Sequence, residues 1–193
     1  MGIEVRDLYK AFGSNRVFSG LNVSFADGQR TCIMGESGCG KTTLLRIMMG
    51  LEKSDRGQIT GLDKNKISAV FQEDRLLERF SALANIRAVC PKTPTEEILA
   101  HFDEVGLKDS LNKKVSELSG GMKRRAAIVR AVLLPKEVLI LDEPFKGLDE
   151  YNRDLTGSYI KRHTDGVTTI MVTHIPEEVE LMGAKLLPIE KAI

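Results

Sequence analysis

Apolar and polar residues alternate in the first part of the chain, over residues 3–9 and again over residues 21–25. Alternation with a period of two predicts strands that bury one face. Residues 29–34 predict a further short strand. We therefore expect an antiparallel β section at the start of the chain, with Phe12 and Val17 lying between its strands.

The pattern changes between Glu73 and about Ser116, where the sequence predicts helices with polar faces. Beyond this stretch, residues 138–141 are wholly apolar and residues 167–172 are rich in β-branched side chains. Both runs predict buried strands, and a helical stretch follows each. Strands that alternate with helices predict an α/β fold with a mainly parallel sheet. We expect one domain, 1–193, with an α/β core at 1–72 and 117–193 and a helical insertion at 73–116.

A glycine-rich segment joins the strand predicted at 29–34 to the start of a helix. It reads Gly35-Glu36-Ser37-Gly38-Cys39-Gly40-Lys41-Thr42-Thr43. Glycines let backbone N–H groups approach phosphate oxygens, and a helix N-terminus adds partial positive charge. In such a loop the lysine, here Lys41, reaches the β and γ phosphates, and the Thr42 hydroxyl ligates Mg²⁺. The alternative is a glycine-rich turn without a ligand, which the strand–loop–helix context disfavours.

Two adjacent carboxylates, Asp142 and Glu143, end the apolar run at 138–141. In phosphate-loop folds a strand-end aspartate holds Mg²⁺, and a neighbouring glutamate can polarise the attacking water. The alternative is a pair of solvated loop acids. The glycine-rich segment favours the catalytic interpretation.

A second candidate anion site is Leu118-Ser119-Gly120-Gly121-Met122, which opens a helix. Its helix N-terminus could bind phosphate through backbone donors, or the glycines could simply cap the helix. Two such sites on one chain are explained if the glycine loop of one copy faces the helix end of another. The basic run at 123–125 is interpreted as a solvated face and not as a nucleic-acid patch.

These segments make the chain resemble the nucleotide-binding subunit of an ATP-binding cassette (ABC) transporter, over nearly its whole length. Residues 118–122 resemble the signature motif of that family, and residues 147–149 resemble the loop whose aspartate communicates across the dimer. Gln72 matches the glutamine-loop residue, His174 the switch histidine, and Phe12 the aromatic position that stacks on adenine.

The resemblance implies a phosphate-loop NTPase core that binds ATP and Mg²⁺ and hydrolyses ATP. The expected catalytic residues are Glu143, His174, Lys41 and Gln72. The expected Mg²⁺ ligands are Thr42, Gln72 and Asp142. The expected nucleotide-binding residues are Phe12, Val17, Gly35, Ser37, Gly38, Cys39, Gly40, Lys41, Thr42, Thr43, Ser119, Gly120, Gly121 and Asp149.

The family also implies partners. These are a second copy closing around two ATP molecules, an integral membrane permease and, for an importer, a solute-binding protein. Residues 71–77 resemble importers of the nitrate, sulfonate and taurine type. The alternatives are a non-transport ABC ATPase that regulates a soluble partner, and a binding module without catalysis, although no catalytic residue is missing. The sequence departs from the family's commoner residues at Phe12, Met122 and Lys146, where Tyr, Gln and Gly are frequent.

Composition adds little to this picture. Of 193 residues, 42% are hydrophobic and 28% charged, and the net charge of +1 does not indicate a nucleic acid or an anionic membrane as the main partner. The three cysteines form no CxxC pair, so neither a disulfide framework nor a zinc site is expected from them. The start of the chain lacks a signal-peptide pattern. We expect a cytoplasmic protein, peripheral on the inner face of the membrane, with His101 and His163 as ordinary surface residues.

Overall fold

The computed structural model describes residues 2–190. The strands in this range are β1 (Ile3–Phe12), β2 (Asn15–Phe25), β3 (Arg30–Met34), β4 (Arg56–Thr60), β5 (Ile67–Val70), β6 (Val138–Asp142), β7 (Thr168–Val172) and β8 (Lys185–Pro188). The helices are α1 (Lys41–Met48), α2 (Ala82–Arg87), α3 (Thr95–Glu104), α4 (Gly120–Leu133), α5 (Glu150–His163) and α6 (Pro176–Met182).

The strands form two sheets. One is a parallel sheet with the order β5-β6-β7-β3-β8, and the other is an antiparallel sheet with the order β2-β1-β4. The predicted α/β class, with its mainly parallel sheet and its antiparallel section near the start of the chain, is confirmed. Residues 73–116 contain α2 and α3 and no strand of either sheet. The division of the chain into a core and an insertion stays a prediction, and its outermost residues, 1 and 191–193, lie outside the described range.

One detail of the antiparallel sheet differs from expectation. Phe12 is the last residue of β1 and Val17 lies inside β2, so the prediction that both lie between the strands is wrong. β1 and β2 extend beyond the alternating segments 3–9 and 21–25, and only Gly13 and Ser14 separate the two strands. Gly13 has a φ of +60°, a left-handed conformation that suits a tight turn and favours glycine.

The register of the parallel sheet brings several strand ends to one edge. Val70 of β5 lies opposite Leu141 of β6, and Val172 of β7 lies opposite both Asp142 and Ile33. The residues that follow these carboxyl ends therefore emerge together. In open α/β sheets this edge is where ligands bind.

The two faces of the parallel sheet are buried by different partners. One apolar cluster joins the antiparallel sheet and α1 to the side chains of Ile33, Ile140 and Ile170. The other cluster packs the helices α2, α3, α4, α5 and α6 against the opposite face of the sheet, including Leu139, Leu141 and Met171. Among residues 2–190, no helix combines the length and the apolarity that crossing a lipid bilayer requires.

Candidate functional site

The glycine loop leaves β3 and enters α1 in a shape that only glycine permits. Gly38 and Gly40 have φ values of +82° and +103°. A Cβ atom on Gly40 would lie 2.5 Å from Cγ1 of Val17, and one on Gly35 would lie 2.2 Å from the carbonyl oxygen of Ile189. The loop is therefore wrapped closely by its surroundings, and its backbone is available at the N-terminus of α1.

Lys41, the first residue of α1, turns back over this loop. Its ammonium group donates hydrogen bonds to the carbonyl oxygens of Gly35, at 2.7 Å, and of Glu36, at 2.9 Å. These bonds hold one positive charge at the mouth of a loop of backbone donors. Such an arrangement is suited to bind phosphate groups.

The next residue, Thr42, connects α1 to the end of β6. Its hydroxyl donates a hydrogen bond to Oδ2 of Asp142 at 3.1 Å. Asp142 is only 6% exposed, and this burial raises the pKa of its carboxyl group, against the lowering effect of the Thr42 hydrogen bond. A hydroxyl oxygen beside a carboxylate oxygen is the donor set that Mg²⁺ prefers, so these residues fit the ion that the family implies.

Glu143 is the meeting point of three neighbours. Its Oε2 accepts hydrogen bonds from Nε2 of Gln72, at 3.3 Å, and from Nζ of Lys146, at 3.1 Å. Its Oε1 lies 3.8 Å from Nδ1 of His174. Glu143 also has a φ of +48°, which is uncommon for a residue other than glycine and is found at functional sites. The structure thus brings together Glu143, Gln72 and His174, three of the four residues expected to be catalytic.

A cavity of about 330 Å³ unites most of the predicted site. That volume falls within the range of small-molecule sites. Phe12 lies at this cavity, 49% exposed, with the Lys10 ammonium 4.5 Å from the centre of its ring. The residues that line the cavity are Phe12, Asn15, Val17, Ser37, Gly38, Gly40, Lys41, Thr42, Thr43, Gln72, Glu143 and Val172.

Another group of predicted residues does not line this cavity. Ser119 caps α4 and accepts a hydrogen bond from the Met122 amide at 3.3 Å. Asp149 caps α5 and accepts one from the Asn152 amide at 2.8 Å, and these contacts hold the pKa of its carboxyl group below the usual range. Gly120 and Gly121 follow Ser119 in the first turn of α4. Within one chain these residues serve as helix ends, and Ser119, Gly120 and Asp149 are exposed.

Arg124 is a central residue that the sequence analysis missed. It is 3% exposed, and Arg125 is 8% exposed, so the interpretation of residues 123–125 as a solvated face is wrong for both arginines. The Arg124 guanidinium donates to the carbonyl oxygens of Asp142, at 2.8 Å, and Pro144, at 3.1 Å.

The same guanidinium also pairs with the carboxylate of Asp74 at 3.0 Å. It therefore ties α4 both to the end of β6 and to the segment after β5. Helical spacing could have revealed this, because Arg124 lies four residues before the fully buried Ile128 and hence on the inner face of α4.

Comparisons with known proteins show one family and one fold for this chain. Residues 18–146 match the family model described as ABC transporter. The chain is 36% identical over 200 residues to the aliphatic sulfonates import ATP-binding protein SsuB 2 of Agrobacterium fabrum, covering 98% of this chain and 76% of that protein. It is also 36% identical over 199 residues to the sulfate/thiosulfate import ATP-binding protein CysA of Methylococcus capsulatus, covering 92% of this chain and 57% of that protein.

Among solved structures, the fold is similar to the dimeric structure of MJ0796, a bacterial ABC transporter cassette. The TM-score is 0.85 at 25% sequence identity, and the match covers 97% of this chain and 94% of that one. The present chain spans from about half to three quarters of the length of the two sequence relatives.

Proposed function

This chain belongs to the ABC transporter family, and we propose that it is the ATP-hydrolysing subunit that drives a membrane permease for the import of a small solute. One observation carries the proposal. The phosphate loop, with Lys41 and Thr42, lines one cavity together with Gln72 and Glu143. Asp142 accepts a hydrogen bond from Thr42, and His174 lies beside Glu143.

Each of these residues has a chemical task in ATP hydrolysis. The loop amides and Lys41 bind the phosphates, while Thr42 and Asp142, with Gln72, would hold Mg²⁺. When bound, the ion neutralises charge on the phosphates. Glu143 orients and deprotonates the attacking water. His174, whose Nδ1 lies 3.8 Å from Oε1 of Glu143, contacts the γ-phosphate. Phe12 offers an exposed ring for stacking on adenine.

The second half of each site comes from another copy of the chain. Ser119, Gly120, Gly121 and Asp149 lie at helix ends outside the cavity, where a nucleotide held by a facing copy could reach them. A two-fold dimer satisfies both sites at once, because each copy offers a loop and a helix end. The solved structure of the similar cassette, MJ0796, is dimeric. Hydrolysis would remove the γ-phosphate that both copies contact, and the dimer would then open.

The relatives support a wider assembly. The two sequence relatives are named as import ATP-binding proteins, one for aliphatic sulfonates and one for sulfate/thiosulfate. The present chain is accordingly proposed to work on the cytoplasmic face of a membrane, bound to a permease that receives its solute from a binding protein. The solute would not contact this subunit.

The test compares the wild type with Glu143→Gln. Loss of a general base lowers rates by about 10²–10⁴, so the variant should bind ATP and have almost no turnover. Because it cannot remove the γ-phosphate, it should accumulate as an ATP-dependent dimer in size-exclusion chromatography. Hydrolysis at the wild-type rate by Glu143→Gln would overturn the assignment. Absence of ATP binding to the wild type would overturn the function itself.

A further inference from the structure

A polar cluster away from the nucleotide cavity joins α3 to α5. His101 and Glu104 lie on α3, and His163 is the last residue of α5. One ring nitrogen of each histidine and one carboxylate oxygen of Glu104 lie within 4.8 Å of one another. All three residues are half-buried, so the expectation that the two histidines are ordinary surface residues is wrong.

The helices present these groups to one another. His101 and Glu104 are three residues apart and therefore share a face of α3. Across the helix interface, Nε2 of His163 lies 2.9 Å from Oε1 of Glu104. The two imidazole rings are tilted by 47° to each other, with their centres 4.5 Å apart.

A buried tyrosine supports this arrangement from α5. Tyr159 is 1% exposed, and its hydroxyl lies 2.8 Å from Nδ1 of His101. Histidines that bind metals usually engage their second ring nitrogen in such a hydrogen bond, which fixes the orientation of the ring. Tyr159 also contacts the ring of His163, with centres 4.8 Å apart. Tyr159 therefore contacts both histidines and helps to fix the orientation of their rings.

We propose that His101, Glu104 and His163 bind a zinc ion that bridges α3 and α5. Two imidazoles and one carboxylate form a donor set that suits Zn²⁺, which takes three protein ligands and a water molecule in open sites. Mg²⁺ prefers oxygen ligands alone and would not compete. Zinc bonds of about 2.1 Å place tetrahedral ligand atoms about 3.4 Å apart, so the present separations need side-chain adjustments of about 1 Å.

A neighbouring positive charge opposes the ion. The guanidinium of Arg162 forms an ion pair with Glu104 and repels a cation at that carboxylate. Since 63% of the Arg162 side chain is exposed, it can turn into solvent at small cost. The proposal thus predicts opposite effects for neighbouring residues on the same helix. Removing His163 should weaken zinc binding, and removing the charge of Arg162 should strengthen it.

The experiment uses the whole chain, freed of metal with a chelator and without nucleotide. Zn²⁺ is titrated by calorimetry, and melting temperature is followed with and without the ion. We expect one zinc per chain, a rise in melting temperature that the chelator reverses, and no competition from excess Mg²⁺. His101→Gln, Glu104→Gln and His163→Gln should each weaken binding by at least the roughly tenfold that loss of a hydrogen-bond partner behind a metal ligand costs. Arg162→Gln should tighten binding.

His174→Gln is the control for zinc held at the nucleotide site, and it should leave the titration unchanged. Zinc affinity that survives in all three ligand variants, or that disappears in His174→Gln, would overturn the proposal. So would a wild type that binds no zinc, because the cluster would then be a set of hydrogen bonds between two helices. If a ligand variant fails to fold, Arg162→Gln still decides, since weaker binding in that variant contradicts the repulsion between Arg162 and the ion.

Discussion

The ammonium group of Lys146 lies 3.1 Å from Oε2 of Glu143, on the carboxylate that we assign to the attacking water. The Gln72 amide contacts the same oxygen at 3.3 Å. The side chain of Lys146 is 58% exposed. The Lys146 ammonium stabilises the negative charge of the Glu143 carboxylate. During hydrolysis this carboxylate must accept a proton from the water, and the ion pair opposes that step.

We therefore expect Lys146→Met to raise the turnover number. Exposed ion pairs contribute about 0.2–1 kcal/mol, so the increase should reach at most about fivefold. Steady-state ATPase kinetics would measure it, with Lys113→Met as a control at an exposed lysine outside the cavity. A lower turnover number in Lys146→Met alone would show that the lysine assists the reaction.

The buried guanidinium of Arg124 provides a second prediction. Arg124→Met leaves the carbonyl oxygens of Asp142 and Pro144 and the carboxylate of Asp74 without their donor. Breaking a buried ion pair costs about 3–5 kcal/mol, so the free energy of unfolding in urea should fall by about that amount.

The control is Lys123→Met, which removes a more exposed pair with Glu78 and should change the free energy of unfolding by less than about 1 kcal/mol. Equal effects of the two variants would contradict the role given to Arg124.

A matched pair of glycines tests the dimer. Gly35→Ala would force its methyl group against the Ile189 carbonyl, so this variant should lose both stability and ATP binding. A Cβ on Gly120 meets nothing within 4 Å, so Gly120→Ala should keep the stability of the single chain.

If Gly120 faces nucleotide held by another copy, Gly120→Ala should nevertheless lower ATPase activity and ATP-dependent dimer formation. Urea unfolding, ATP binding and size-exclusion profiles measure these properties separately. Wild-type activity and dimerisation in Gly120→Ala would argue against a close approach of the second copy at this residue.

The raised pKa of Asp142 predicts how stability depends on pH. Burial disfavours its charged form, so its pKa in the folded protein lies above the ordinary value of 3.8. The favourable contribution of Asp142 to the free energy of unfolding is then complete below pH 3.8, and it is lost as the pH rises through the pKa of the folded protein.

Asp142→Asn should consequently melt at a higher temperature than the wild type at pH 7, and the difference should shrink as the pH falls towards 3.8. The measurement is the melting temperature of both proteins, without nucleotide or Mg²⁺, across this pH range. Asp149→Asn is the contrasting control, because hydrogen bonds from Asn152 lower the pKa of Asp149 and the variant should lose stability at pH 7. If Asp142→Asn is less stable than the wild type at every pH, the raised pKa of Asp142 is contradicted.

The sequence alone determined the parts of this protein that are contiguous along the chain. The loop from Gly35 to Thr43, the acids that end β6 and the residues that open α4 each carry their chemistry within a few positions. A glycine loop between a strand and a helix needs only its neighbours to take shape. Period-two and apolar runs likewise predicted β1, β2, β3, β6 and β7, because a buried face imposes its pattern on each strand separately, but they did not predict β4 or β8.

Only the tertiary structure decided which distant side chains meet and how deeply they are buried. Arg124 looked like part of a solvated basic run, yet its five donors are what the carbonyls at the end of β6 require. His101 and His163 are far apart in sequence and meet because α3 packs beside α5. Ser119 and Asp149 were expected at a nucleotide held by a second copy, and in the single chain they cap helices outside its own cavity. Such contacts depend on packing between elements, and no local pattern encodes the distance between two helices.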